Sequence, residues 1–213
     1  MPRTHIQDKR KLELISATMD SIAKRGLSET TITHICKGAG LSRGIVNFYF
    51  ESKEMLMRGV LAHMLSEYQQ IWENAASKEA SLNALIAAQF DRRICSSKRL
   101  NVLSAFWGHA ANHTPYREQF AQSDAAIEAA LAQHMEAAKA RQLFALIRGL
   151  WLRFLLAPKN TNREALANEA LAFALGQNKA LKVVAANEKP AKKPSAKKKA
   201  DTQMDIEDLF ANG

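Results

Sequence analysis

The chain has 213 residues, of which 47% are hydrophobic, and a formal net charge of +9. This length allows one large or two small domains with a proper core, and the positive balance points to a polyanionic partner. The opening segment is too charged for a signal peptide, and no apolar run reaches the roughly 18 residues of a membrane span, so we expect a cytoplasmic protein without a membrane partner.

The positive charge is concentrated at the two ends of the chain. Residues 1–60 hold 10 Lys and Arg against 6 Asp and Glu, residues 61–176 hold 12 against 10, and residues 177–213 hold 8 against 5. A near-neutral middle between basic ends is what a ligand-binding body flanked by polyanion-binding segments would show.

The residues that usually mark an enzyme do not form a pattern here. Cys36 and Cys95 lie far apart, the six histidines show no paired metal-ligand spacing, and there is no nucleophile motif or glycine-rich phosphate loop. We therefore predict no catalytic residue, no metal and no cofactor.

A short helical hairpin is predicted over residues 30–50. Ile32, Ile35, Cys36 and Ala39 repeat at helical spacing, and Gly40 follows as a left-handed C-cap. An amphipathic helix ending at Gly26 precedes the hairpin and would brace it. This arrangement is typical of a helix-turn-helix that places its second helix in the major groove of DNA.

The second helix of the hairpin is predicted to start after Ser42 and to turn Ile45 and Val46 inward. The outward side chains suit base edges and thymine methyls, and we predict that bases are read by Arg43, Asn47 and Phe48. Phosphate contacts fix the register without reading sequence, and we assign them to Thr31, Thr33, Ser42, Tyr49 and Lys53.

The stretch TTITHICKGAGLSRGIVNFYF, followed by Ser52-Lys53-Glu54, resembles the signature of TetR-type repressors. The resemblance implies an all-α homodimer with an N-terminal three-helix DNA-binding domain and a larger ligand-sensing and dimerisation domain. Its partners would be a double-stranded operator with an inverted repeat and a small-molecule effector. Asn47-Phe48 stands where the family usually has an aromatic-His pair, so the resemblance implies DNA binding but not a particular operator sequence.

The rest of the chain is predicted to be helical. A long fourth helix from Ser52 to about Trp72 or Ala75 would join the two domains as a lever, as the resemblance implies. Further helices are predicted near residues 78–94, 98–112, 116–138, 139–157 and 163–176, and the join at 138–140 has no Gly or Pro to separate its helices. The expected domains are residues 1–52, 53–176 and 177–213.

Two stretches after residue 100 resemble the C-terminal domain of the betaine-synthesis repressors, namely Ala105-Phe106-Trp107 with His113-Thr114-Pro115, and Leu146-Ile147-Arg148-Gly149-Leu150-Trp151-Leu152-Arg153. That branch senses choline or related quaternary amines, which bind over aromatic faces. The implied pocket residues are Phe90, Asp91, Phe106, Trp107, Tyr116 and Trp151. The alternative is that these rings only fill a helical core. Arg148 stands where the branch usually has an acidic residue.

Residues 177–213 are predicted to be a disordered tail, with a Lys/Ala/Pro sequence, ANEKPAKKPSAKKKA, at residues 186–200 and an acidic end. Non-specific DNA contacts are assigned to Lys192, Lys193, Lys197, Lys198 and Lys199. The simpler alternative is a solubilising tail. For the whole chain, the alternatives to a ligand-released repressor are an architectural DNA-binding protein that uses this tail without a ligand, and a helical interaction module.

Overall fold

The computed structural model describes residues 3–176, with side chains from Lys9 onward, and that range contains nine α-helices and no β-strand. The all-α prediction is confirmed, whereas the predictions for residues 177–213 lie outside the described residues. The helices are α1 (Arg3–Glu29), α2 (Ile32–Ala39), α3 (Arg43–Tyr49), α4 (Lys53–Lys78), α5 (Leu82–Gln89), α6 (Ser97–Ala110), α7 (Thr114–Ala132), α8 (Ala137–Leu156) and α9 (Arg163–Ala174).

The first helix carries the helix-turn-helix on one side and packs against α6 on the other. Its helical geometry breaks at Gly26, where φ is 81° and ψ is 171°, and one further turn reaches Glu29. The predicted end of the helix is therefore an interruption. Beside it, Thr30 Oγ1 donates to the Gly26 carbonyl at 2.8 Å and lies 3.2 Å from the Ser21 hydroxyl, which ties the corner to the body of α1.

The turn between α2 and α3 depends on a left-handed residue. Gly40 has φ 65° and ψ 30°, and the Leu41 amide donates to the Cys36 carbonyl at 3.1 Å. This hydrogen bond closes the end of α2 in the way that a glycine C-cap permits. The predicted cap is thus present and sets the angle at which α3 leaves α2.

Replacing Gly40 with alanine is expected to lower the free energy of unfolding by about 1–2 kcal/mol, because a Cβ disfavours the left-handed conformation. Gly44→Ala is a matched control, because its Cβ would meet nothing closer than Ser42 Oγ at 3.9 Å and its backbone is helical. We expect the control to be neutral or up to about 1 kcal/mol more stable. Urea unfolding would measure both, and equal midpoints for the two variants would contradict this account of the turn.

The fourth helix is longer than predicted, and α5 is shorter. Ser52 begins α4 by accepting a hydrogen bond from the Met55 amide at 3.1 Å, and the helix runs to Lys78. The next helix does not begin until Leu82, since the Ser81 hydroxyl accepts from the Ala84 amide at 3.1 Å and fixes the start there. The predicted helix over 78–94 is therefore wrong at both ends.

The join between α7 and α8 is a distinct break and not a continuous helix. The Glu136 carboxylate accepts from the amides of Ala138 and Lys139 at 3.0 and 3.3 Å and caps the start of α8. A carboxylate in this position also interacts favourably with the N-terminal end of the helix dipole. The boundary between α7 and α8 is therefore set by Glu136, since the sequence has no glycine or proline at residues 138–140.

The core of the C-terminal part lies between α4, α7 and α8. Ile127, Leu131, Leu143 and Ile147 are fully buried there. None of the helices in the described range 3–176 is long and apolar enough to cross a bilayer.

Candidate functional site

The outer face of α3 presents the three residues assigned to base reading. Arg43, Asn47 and Phe48 are all exposed, and Phe48 leaves 70% of its surface in solvent. Its ring meets the Tyr49 ring edge-on, with centroids 5.1 Å apart and planes at 89°. An exposed aromatic ring beside a cation and an amide gives α3 a mixed apolar and polar face, which is suited to contact with another molecule.

The inner side of α3 differs from the prediction at one residue. Val46 is 1% exposed and contributes to the core, whereas Ile45 is 36% exposed. The prediction that both point inward is wrong for Ile45, because a helix of only seven residues packs through a narrow stripe that Val46 occupies alone. Ile45 thus adds an apolar side chain to the exposed face.

The residues assigned to phosphates lie around this face at helix ends. Thr31 Oγ1 accepts from the His34 amide at 3.2 Å, which caps α2 and leaves the hydroxyl hydrogen free to donate. Thr33 and Ser42 are exposed, and Ser42 has extended backbone at the start of α3. The Tyr49 side chain is half-buried.

Lys53 is held against the helix-turn-helix. Its Nζ donates to the Ser28 carbonyl at 3.4 Å, so the first residue of α4 contacts the end of α1. Gly38 of α2 also lies close to α1, since a Cβ there would sit 3.7 Å from the Ala17 Cβ. These contacts hold α2 and the start of α4 against α1.

A small cavity lies in the C-terminal part, between α4, α6, α7 and α8. Its volume is about 30 Å³, which is room for about two water molecules. The side chains around it are mostly apolar or aromatic, with two arginines and one carboxylate among them. They are Met64, Leu65, Tyr68, Ile94, Arg99, Leu103, Trp107, Phe120, Ser123, Asp124, Phe144, Arg148 and Trp151.

The charged centre of the cavity wall is an ion pair between Arg148 and Asp124. The guanidinium carbon of Arg148 lies 4.8 Å from the Phe144 ring centre and 5.3 Å from the Trp107 ring centre. Burial raises the pKa of Asp124, while the neighbouring Arg148 acts in the opposite direction. The cation is thus held by one carboxylate and two aromatic rings.

Gln89 binds two aromatic residues of the cavity lining. Tyr68 donates to the Gln89 side-chain carbonyl, and Trp151 Nε1 donates to the Gln89 backbone carbonyl at 2.9 Å. Burial raises the pKa of Tyr68 well above its ordinary value, so its hydroxyl stays protonated and acts as a donor. Gln89, which no sequence pattern singled out, fixes both rings.

The cavity brings together only part of the predicted pocket. Trp107 and Trp151 line it. Phe106 is fully buried against Tyr116, with ring centres 5.1 Å apart, and this pair lies in the core beside the cavity. Phe90 is buried outside the cavity lining, and Asp91 is bound by Arg93 at 2.9 Å in the loop after α5.

The sixth helix connects the cavity to the DNA-facing part. Three of its residues at four-residue spacing, Arg99, Leu103 and Trp107, line the cavity. On other sides of the same helix, Lys98 pairs with Asp20 of α1 at 2.6 Å, and His109 Nε2 lies 3.3 Å from the Ser28 hydroxyl. A displacement of α6 at the cavity would therefore change its contacts with α1.

Residues 9–176, whose side chains the structure describes, bring together no group of three His, Cys, Asp or Glu side chains that could hold a metal ion.

Two protein-family models match this chain, one over the helix-turn-helix and one over the C-terminal part. Residues 14–60 match the model of bacterial regulatory proteins of the tetR family, and residues 78–176 match that of the BetI-type transcriptional repressor C-terminal domain. Solved structures with the same fold include a TetR transcription regulator from Haloarcula marismortui (TM-score 0.70, 19% identity, 79% of this chain and 98% of that one). A transcriptional regulator from Rhodococcus sp. Rha1 is similar in fold (TM-score 0.68, 22% identity, 78% and 94%).

The chain belongs to the TetR family of helix-turn-helix transcriptional regulators. Within that family it is of the BetI type. It is 32% identical to the HTH-type transcriptional regulator BetI of Burkholderia thailandensis over 173 residues, covering 74% of this chain and 87% of that protein. The BetI regulator of Burkholderia mallei is 31% identical over 188 residues (79% and 95%). The protein is thus a DNA-binding transcriptional regulator and not an enzyme.

Proposed function

We propose that this protein is a homodimeric repressor that binds an inverted-repeat operator and leaves it when a small molecule enters the cavity. The observation that carries the proposal is the double role of α6, which lines the cavity with one face and contacts α1 of the DNA-binding part with another. A ligand larger than the present cavity would have to push its walls apart, and α6 is one of those walls.

In the proposed complex, Arg43, Asn47 and Phe48 contact base edges in the major groove. Phosphates on either side are held by the hydroxyl and cationic groups around α3, namely Thr31, Thr33, Ser42, Tyr49 and Lys53. The exposure of the α3 face and the contact of Lys53, at the start of α4, with the end of α1 support this assignment.

The proposed dimer contact is the exposed apolar strip at the end of α8 and just after α9. Leu152 and Leu156, one turn apart on α8, are 49% and 75% exposed, and Leu175 is 53% exposed. The Arg153 to Glu169 ion pair at 2.6 Å joins α8 to α9 beside Leu152. Exposed leucines grouped in this way favour contact with a second copy.

Introducing glutamate at both Leu152 and Leu156 is expected to convert the dimer to a monomer, because four charges would be buried without partners in a twofold contact. Leu12→Glu is a matched control, since Leu12 is also 49% exposed but lies on α1. Sedimentation velocity measures the outcome. A double variant that still sediments as a dimer would contradict this interface.

We also propose that the basic tail adds sequence-independent affinity for DNA through Lys192, Lys193, Lys197, Lys198 and Lys199. Replacing the five lysines together with glutamine should make the negative slope of log affinity against log salt concentration shallower. The expected change is about 0.9 for each phosphate that the tail no longer neutralises.

The test of the proposed function is selection of DNA fragments from the source genome on the purified full-length protein, with excess heparin as competitor. The proposal expects a few fragments to be enriched, and the same fragments with the tail-lysine variant. Enrichment that depends wholly on the tail would favour an architectural role, and no enrichment at all would contradict specific binding.

A further inference from the structure

The guanidinium group of Arg148 lies over two aromatic rings and beside a carboxylate, which is the position that a bound ammonium ion would need. Its guanidinium carbon lies 4.8 Å from the Phe144 ring centre and 5.3 Å from the Trp107 ring centre, and Asp124 is its counter-ion. Aromatic faces beside a carboxylate are the combination that binds a quaternary ammonium group. In this cavity that combination is already satisfied by a side chain of the protein itself.

The groups left unsatisfied at the same wall are hydrogen-bond donors. Arg148 Nε and Trp107 Nε1 are buried, and neither has an acceptor among the described residues. Both residues line the cavity. Buried donors without acceptors are unfavourable, and an oxygen atom of a ligand is the group that would satisfy them.

The remaining charges at the wall also disfavour a cation. Arg99 is the second cation of the lining and is paired with Glu67 at 2.7 Å, which itself lies outside the lining. Asp124 is the only carboxylate among the lining residues, and Arg148 already binds it. An entering ammonium would therefore meet two guanidinium groups and no free carboxylate at this wall.

We propose that the effector of this cavity is a small apolar molecule with an oxygen acceptor, a carboxylate above all, held by Arg148 and Trp107, and that quaternary amines are excluded because Arg148 occupies their place. The inference rests on the proposed role of the cavity as the effector site. Arg148 can keep Asp124 on one terminal nitrogen while Nε donates to the ligand, as the fork of the guanidinium group allows. The apolar body of the ligand would pack on the rings and aliphatic side chains of the lining.

The test is the thermal midpoint of the purified full chain with sodium benzoate, benzamide or tetramethylammonium chloride at one ionic strength. A ligand that binds only the folded state raises the midpoint with concentration. We expect benzoate to raise it and tetramethylammonium to leave it unchanged. Benzoate acting alone assigns a carboxylate, and benzamide acting as well assigns a carbonyl oxygen.

Arg148→Met should reverse the responses. It removes the resident cation and leaves Phe144, Trp107 and Asp124 free to bind tetramethylammonium, while the benzoate shift is lost. The double variant Arg148→Met with Asp124→Asn removes both charges and so leaves no unpaired carboxylate that could cause misfolding. Its thermal midpoint should respond to neither benzoate nor tetramethylammonium. Arg141→Met is the matched control on the same helix, because Arg141 is exposed and lies outside the cavity lining.

Three results would overturn the proposal. In the unaltered protein, the thermal midpoint could rise with tetramethylammonium, or it could fail to rise with millimolar benzoate. In Arg148→Met, the benzoate shift could survive. Binding of the ligand-free protein to its selected DNA is measured separately. Failure of that binding would count against the repressor function, and the ligand shifts would still decide the chemistry of the cavity.

Discussion

Replacing Arg43 with alanine is expected to weaken operator binding by about 2–6 kcal/mol, roughly 30-fold to 2 × 10⁴-fold, because a bidentate contact to a base is worth about 1–3 kcal/mol and the proposed dimer would make it twice. Arg43 is exposed at the first position of α3, where no carboxylate of the described residues engages it in an ion pair. Fluorescence anisotropy at fixed salt, with the selected operator and with a scrambled duplex, measures the loss.

The matched control is Arg141→Ala, which removes the same charge from an exposed position on α8. It should leave operator affinity nearly unchanged. Lys53→Ala should weaken binding to the operator and the scrambled duplex alike, since a phosphate contact carries no base information. If Arg43→Ala lost no more affinity for the operator than for the scrambled duplex, Arg43 would not read bases.

Phe106→Ala is expected to lower the free energy of unfolding by about 3–5 kcal/mol, because a large ring is removed from a fully buried position. The loss includes its edge contact with Tyr116, at 5.1 Å between ring centres. Urea unfolding followed by circular dichroism measures it, at one protein concentration because a dimer's stability depends on concentration.

Phe48→Ala makes the same chemical change at a residue that is 70% exposed, and it should alter stability by less than about 0.5 kcal/mol. For operator affinity we expect the opposite order, with Phe48→Ala binding DNA more weakly than Phe106→Ala at a temperature where both variants are folded. Similar destabilisation by the two substitutions would contradict the assignment of Phe106 to the core and Phe48 to the surface.

The DNA-facing part could be predicted from the sequence because its determinants are local. The spacing of Ile32 and Ile35, the glycine at 40 and the capping residue Ser52 each act within a few residues of themselves. Ile45 was misplaced because inward and outward positions on a short helix depend on its crossing angle with the helix it packs against, here α2, which the sequence does not state.

The cavity could be predicted only in part because its walls come from four helices that are distant in sequence. Trp107 and Trp151 stood out as large aromatics, but so did Phe106 and Tyr116, which face the core. The i, i+4 pair Phe144 and Arg148 was a usable local signal for the cation over a ring. The pairing of Arg148 with Asp124, 24 residues away on α7, had no sequence signal.

The helix ends show the same limit. Glu136 caps α8 with its carboxylate, in a run of residues that otherwise suits a continuous helix. Glutamate is common inside helices, so its presence did not mark a break. Ser81 was the better signal, because serine favours N-caps, and it places the start of α5 at Leu82.

Footprinting of the full-length protein on its selected operator shows whether two copies of α3 read DNA as a twofold pair. With a polyanion competitor present, we expect two protected half-sites related by a twofold axis, with centres about 10 base pairs or a multiple of that apart, and loss of both in Arg43→Ala. Protection without an inverted repeat, or equal protection of random duplex, would contradict a dimer that reads DNA through α3.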